Sequence, residues 1–189
     1  MLHAPSRSRG WLRLYRDRYP DPLGFGLGPS RFSDPRIGDP GVKPYGVVYL
    51  GRTLKVCLIE AIVRDRGDAH LGPLPVALSE LEHTTCAEIA PRAPLSLVDL
   101  RGDGPVKMGI PTDAVRAADP SLGQAWALAI HEHTAAPDGI IYPSRFDGET
   151  NVALFNRALS NVRSRSVGPL LERRAELAAL IRSLDLSVI

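Results

Sequence analysis

Apolar residues run along this chain in two rhythms. WLRLYR (11–16) alternates large and basic side chains, LSLVDL (95–100) alternates well, and TTCAEIAP (84–91) is a further strand candidate. GVVYL (46–50) is short and β-branched, and GIIYPS (139–144) is an apolar run stopped at Pro143. Each predicts a strand, and NVALFNRAL (151–159) predicts a strand passing into a turn. The other rhythm is helical. Thr53 reads as the N-cap of LKVCLIEAIVRDRG, Gly67 as its stop, and Leu54, Cys57, Leu58, Ala61 and Ile62 as its apolar stripe, with Glu60 at the stripe's flank. A short helix is expected over 111–118 and a longer one over 120–136, with Ala125, Leu128, Ala129 and Ala135 or Ala136 as its small-residue face. An amphipathic helix is expected over 169–186, packing through Leu171, Leu177, Leu180, Ile181 and Leu184.

Between the first two strands, residues 17–46 carry six prolines and six glycines, which nearly exclude regular helix. A loop of that length is usually functional or disordered. Residues 1–10 are expected to form a flexible tail and 11–189 a single domain, the C-terminal helix included. No regular βαβ alternation is present, so the fold class is α+β (mixed).

Composition narrows the function. At 189 residues, 44% hydrophobic and 23% charged, the chain suits one globular domain with a real core. A net charge of +2 does not by itself imply a nucleic-acid binder. Its distribution is uneven: residues 1–36 hold seven arginines, three aspartates and no lysine. A guanidinium fork matches phosphates, so this region is either a solvated arm or a wall of a phosphate site. Cys57 and Cys86 have no ligand-like spacing and read as buried thiols in a reducing compartment. No apolar stretch follows the basic N-terminus, and none approaches the roughly 18 residues of a membrane span, so a cytoplasmic protein is expected.

Motif chemistry is sparse. There is no P-loop, HExxH or paired CxxC. GFGLGP (24–29) lacks the strand and helix of a dinucleotide fingerprint, so its glycines serve turns. In HEH (131–133) the histidines, two apart, face different sides of a helix; no metal is expected, and Trp126 reads as core. What remains is a set of polar residues at apolar boundaries: Arg16, Arg31, Tyr49, Glu60 and Ser144. Each alone has a plain reading as an ion-pair partner, a solvated residue or core.

Their order, within LYR (14–16), GPSRF (28–32), GVVYLGRTLKVCLIEAI (46–62) and DGIIYPSRFDGETNVALFNRAL (138–159), resembles the RES domain family of bacterial toxins. One departure is SDPR (33–36), where the family often has an Asn-Pro-Pro-like loop. The resemblance implies an ADP-ribosyltransferase-like fold, with small central β-sheets flanked by helices. It implies consumption of NAD as a substrate, and an Xre-like helix-turn-helix antitoxin that blocks the active site. ADP-ribose would pass to water, phosphate or a target protein. Glu60, Tyr49 and Arg31 are then the expected catalytic residues, and Arg16, Arg31, Tyr49, Ser144 and Asn151 the expected NAD-binding ones, with Arg145 behind them. A carboxylate suits the cationic sugar formed when nicotinamide leaves, and arginines suit the pyrophosphate. The alternative is a non-catalytic module that binds a phosphorylated ligand or nucleic acid through the arginine-rich N-terminal region. The basic-aromatic interleaving of a nucleic-acid surface is absent, so direct nucleic-acid binding is not expected.

Overall fold

Runs that are apolar at every position need cover on both sides, and the chain supplies it around three central strands. The computed structural model describes residues 2–3, 10–64, 66 and 71–189. Its strands are β1 (Leu2–His3), β2 (Trp11–Arg16), β3 (Val47–Gly51), β4 (Leu74–Val76), β5 (Thr84–Pro91), β6 (Leu97–Asp99), β7 (Gly139–Pro143), β8 (Thr150–Phe155), β9 (Val162–Pro169) and β10 (Leu186–Val188). The helices are α1 (Leu54–Leu58), α2 (Leu78–Glu82), α3 (Gly104–Met108), α4 (Asp113–Arg116), α5 (Ser121–Glu132) and α6 (Arg174–Ser183). A π-helical turn, Ile59–Val63, continues α1. Eight strands form one sheet in the order β1-β6-β7-β8-β3-β2-β5-β9, and β10 pairs with β4 in a second. Among the described strands of the large sheet only β6 and β7 pair in parallel, joined by a crossover through α3, α4 and α5. The expected α+β class is borne out.

Alternation distributes the core. On one face of the sheet Val47, Ile140, Tyr142, Ala153 and Phe155 pack with Phe32 and with Ala127 and Ile130 of α5. On the other, Val48, Leu50, Ile141, Val152 and Leu154 pack with Trp11 and Ile89. A third cluster joins Leu54 and Leu58 of α1 to Leu81 of α2 and Leu177 of α6.

Several expectations are corrected. Leu2–His3 pair with Val98 and Leu97, so two residues of the expected tail belong to the sheet; residues 1 and 4–9, like the expected stop Gly67, lie outside the described residues. The α5 helix buries Gly123, Ala127 and Ile130, while Ala125, Ala129, Ala135 and Ala136 are exposed. Gly123 decides this: a Cβ there would stand 2.6 Å from the Ala114 carbonyl and 2.7 Å from the Arg31 carbonyl. Trp126 is half-buried against the first cluster. The C-terminal helix begins only at Arg174, after a 3-10 turn at Leu170–Arg173, and its five named apolar residues all pack in the third cluster.

The proline- and glycine-rich loop is pinned at its centre. Phe32 is fully buried and meets Tyr142 edge-on at 4.8 Å. Asp34 is 1% exposed, and its carboxylate accepts from Arg36 Nε and Nη2 and from the Tyr45 amide. Arg36 reaches on to Glu132 of α5 at 2.7 Å. Both cysteines are free and buried, as expected. Among the described residues, no helix is long and apolar enough to cross a membrane.

If Phe32 anchors the loop, Phe32→Ala should cost about 3–5 kcal/mol in urea unfolding. Leu71→Ala, at a side chain 96% exposed, should shift stability by less than about 0.5 kcal/mol.

Candidate active site

The site begins where β3 hands over to α1. Thr53 caps the helix, its hydroxyl accepting from the Val56 amide at 3.2 Å. Gly51 lets the helix lie against the strand end, because a Cβ there would come within 2.5 Å of Cys57 Sγ. The helix then widens: the Arg64 amide donates to the Ile59 carbonyl five residues back, at 2.7 Å. That π turn inserts an extra residue into the winding. Ile59, Ile62 and Val63 are buried, whereas Ala61, expected in the apolar stripe, is exposed and lines a cleft together with Glu60 and Arg64.

The cleft, about 630 Å³, is closed by the 29–31 loop segment, by Tyr49 and Tyr142, and by Arg145, Phe146 and Asn151 near the β7–β8 connection. Its wall carries Arg31, Arg64 and Arg145 against one carboxylate, Glu60. Asn151 is 4% exposed and donates from Nδ2 to Glu60 Oε1 at 3.0 Å, which fixes the carboxylate's direction.

Arg31 is held by what surrounds it. The Tyr49 hydroxyl accepts from the Phe32 amide at 2.9 Å and bonds Ser30 Oγ at 2.9 Å. Gln124 of α5 donates to the Ser30 carbonyl at 3.0 Å. The backbone on both sides of Arg31 is thus tied to sheet and helix. The guanidinium is partly withdrawn from water, and burial followed by the neighbouring Arg145 charge pulls its pKa below the usual arginine value; Tyr142 and Glu60 act the other way. Arginine remains charged under such a shift. Its Nη1 is buried and has no hydrogen-bond partner. A buried cationic donor left unpaired costs free energy, unless a ligand supplies the acceptor. Burial raises the Tyr142 hydroxyl well above the ordinary tyrosine range, so it stays a neutral phenol.

Glu60, Tyr49, Arg31 and Asn151 are therefore brought together, and Arg16 and Ser144 are not. Arg16, at the end of β2, donates from Nη1 to the Glu80 carbonyl at 3.1 Å, and lies in a separate concavity with Asp17, Arg18 and His83. The α2 helix supplies its acceptor. Ser144 is 1% exposed, and its hydroxyl accepts from the Phe146 amide at 3.2 Å, so it shapes the turn after Pro143 instead of lining the cleft. Arg64 and Tyr142 were not anticipated. Arg64 stands four residues after Glu60, a spacing that could have flagged it; Tyr142 is hidden in an apolar strand. In HEH, His131 stacks on Tyr45 at 4.1 Å while His133 is exposed, so the two side chains diverge. Burial pushes the His131 pKa down to about 4. The Cys57 thiol, on the cleft wall, is pushed up to about 12 by burial, which makes it a poor nucleophile.

Comparison with known proteins adds to this geometry. The RES domain family matches residues 10–173. The probable toxin y4kH of Sinorhizobium fredii (strain NBRC 101917 / NGR234) is 44% identical over 127 residues, which are 67% of this chain and all of that protein. The crystal structure of the M. tuberculosis MbcT–MbcA toxin–antitoxin complex contains a chain of similar fold, with a TM-score of 0.59 and 16% identity, over 93% of this chain and 92% of that one.

Replacing Tyr49 by Phe removes the acceptor of the Phe32 amide and the partner of Ser30. Tyr49→Phe should lower unfolding free energy by about 1–3 kcal/mol in denaturant titration.

Proposed function

The chain belongs to the RES domain family, and on that premise we propose that it is the toxin of a toxin–antitoxin pair that consumes NAD by cleaving the bond between nicotinamide and ribose. The observation that carries this reading is one cleft holding an oriented carboxylate, Glu60, and a half-buried arginine, Arg31, whose buried Nη1 is unpaired.

Breaking that bond leaves positive charge on the ribose. A carboxylate already aimed by Asn151 stabilises that charge without first having to reorganise. Glu60 is the one acid on the cleft wall among the described residues, so this task falls to it. NAD's pyrophosphate carries two negative charges, and three arginines against one glutamate leave the wall with a matching surplus. Arg31 would give the fixed donor, and Arg64 and Arg145 would take the pyrophosphate role that the sequence suggested for Arg16. The Tyr49 hydroxyl is already spent on the loop backbone, so Tyr49 would serve substrate binding through its ring. Water, phosphate or a side chain of a target protein would receive the ADP-ribose.

A partner antitoxin is supported by the fold shared with a chain of a toxin–antitoxin complex. An Xre-like helix-turn-helix protein that shuts the cleft is the proposed form. The binding-module reading is less well supported, because the N-terminal arginines do not gather into one surface. Arg13 donates to the Pro22 carbonyl, Arg16 to that of Glu80 and Arg36 to Asp34, while Arg31 lies in the cleft.

Purified protein should release nicotinamide from NAD, followed by chromatography. Glu60→Gln keeps shape and removes charge, and should slow release by about 10²–10³-fold. A Glu60→Gln rate equal to wild type would remove the carboxylate from the chemistry. Labelled NAD with cell lysate distinguishes the acceptors, since a labelled protein band means transfer and free ADP-ribose means hydrolysis.

A further inference from the structure

Part of the cleft wall is the tight turn 144–149, which carries Arg145 and Phe146. Its backbone closes on itself: the Ser144 amide donates to the Glu149 carbonyl at 2.7 Å and the Gly148 amide to the Ser144 carbonyl at 3.1 Å. Gly148 has φ +74°, a conformation that favours glycine. Arg145 lies over the Phe146 ring at 4.3 Å.

The two acids of this turn bond away from the cleft chemistry. Lys55 Nζ lies 3.2 Å from Asp147 Oδ2 and 3.5 Å from Glu149 Oε1. The Thr53 hydroxyl donates to Glu149 Oε2. The Arg52 amide donates to the Thr150 carbonyl at 2.9 Å. All three anchors lie just before or within the first turn of α1, the helix whose π continuation presents Glu60 and Arg64. The Asp147 side chain is only 11% exposed, so its carboxylate needs a counter-charge close by.

We propose that Lys55, with Thr53, clips the 144–149 turn to α1 and so sets Arg145 and Phe146 at a fixed distance from Glu60 and Arg64. Lys55 is then a positioning residue, acting on the cleft through Asp147 and Glu149. The electrostatics explain why a cation is required at position 55. Arg145 and Lys55 balance Asp147 and Glu149 in charge. Without Lys55 two neighbouring carboxylates face each other, and the nearest strong cation on their own turn is Arg145. They would draw it off the cleft wall, where its charge already acts against that of Arg31. Binding of an anionic substrate would suffer before the chemical step, because the group lost is one that fixes an anchor.

The claim about the turn stands alone, whereas its consequence for substrate rests on the NAD reading. Full-length Lys55→Met and Lys55→Arg are compared with wild type by hydrogen exchange of the 144–150 amides and by nicotinamide-release kinetics. Lys55→Met should speed exchange in the turn by about tenfold and raise KM for NAD by about three- to tenfold, with kcat within about twofold. Lys55→Arg should restore both, as a guanidinium can still bridge the two acids. Wild-type exchange in Lys55→Met overturns the clip, and a looser turn with unchanged KM overturns its positioning role. If wild-type protein releases no nicotinamide, the NAD reading and the proposed effect on substrate fall together, while exchange still decides whether the clip holds the turn.

Discussion

A guanidinium half out of water, with one nitrogen unpaired and a second arginine charge acting on it, is costly to hold, and much of the surrounding architecture keeps it in place. Left to itself, Arg31 would swing into solvent. It is held because the chain on either side is fixed, with Ser30 bonded to Tyr49 and Gln124 and Phe32 sunk in the core. Gly123 brings α5 against the Arg31 carbonyl with no room for a side chain. A long irregular loop thereby becomes as fixed at one point as the sheet beneath it. Strain of this kind is commonly retained where a ligand relieves it.

The same logic holds for the acid. Glu60 lies on a π turn, where the extra residue turns Ala61 and Arg64 toward the cleft and keeps Ile62 and Val63 in the core. Asn151, from the neighbouring strand, fixes the carboxylate. Arg145 stands on a turn closed by its own backbone and tied to α1 through Lys55. The loop contributes Arg31, the helix Glu60 and Arg64, and the turn Arg145, while the sheet supplies the neutral Asn151; none of the four charges is placed by its local sequence alone.

That distribution decides what the sequence could reveal. The strand over 11–16 was legible to the residue because its sequence alternates, as side chains on a half-buried strand do, whereas 84–91 was legible as a strand although its buried positions keep no period of two. Strand β9 was not, since VRSRSVGP has few apolar residues and becomes a strand by pairing with β5. The apolar stripe drawn at helical spacing wrongly included Ala61, which is exposed, because the winding changes after Leu58. On α5 a close backbone contact at Gly123, not the count of alanines, chose the buried face. In the cleft, Glu60, Tyr49 and Arg31 were readable as polar residues at apolar borders, and Asn151 only through the family resemblance. Arg16 and Ser144 share that signature, but Arg16 is engaged by the Glu80 carbonyl of a distant helix and Ser144 by the Phe146 amide two residues on, and neither side chain lines the cleft.

The central claim is that the unpaired Arg31 donor and the Glu60 carboxylate serve one ligand. A crystal structure of the slowed Glu60→Gln protein soaked with NAD tests it most directly. The account predicts the pyrophosphate on Arg31, with Arg64 and Arg145 beside it, and the nicotinamide ribose at position 60. Dinucleotide density outside the cleft, or NAD bound with Arg31 Nη1 still unpaired, would contradict it.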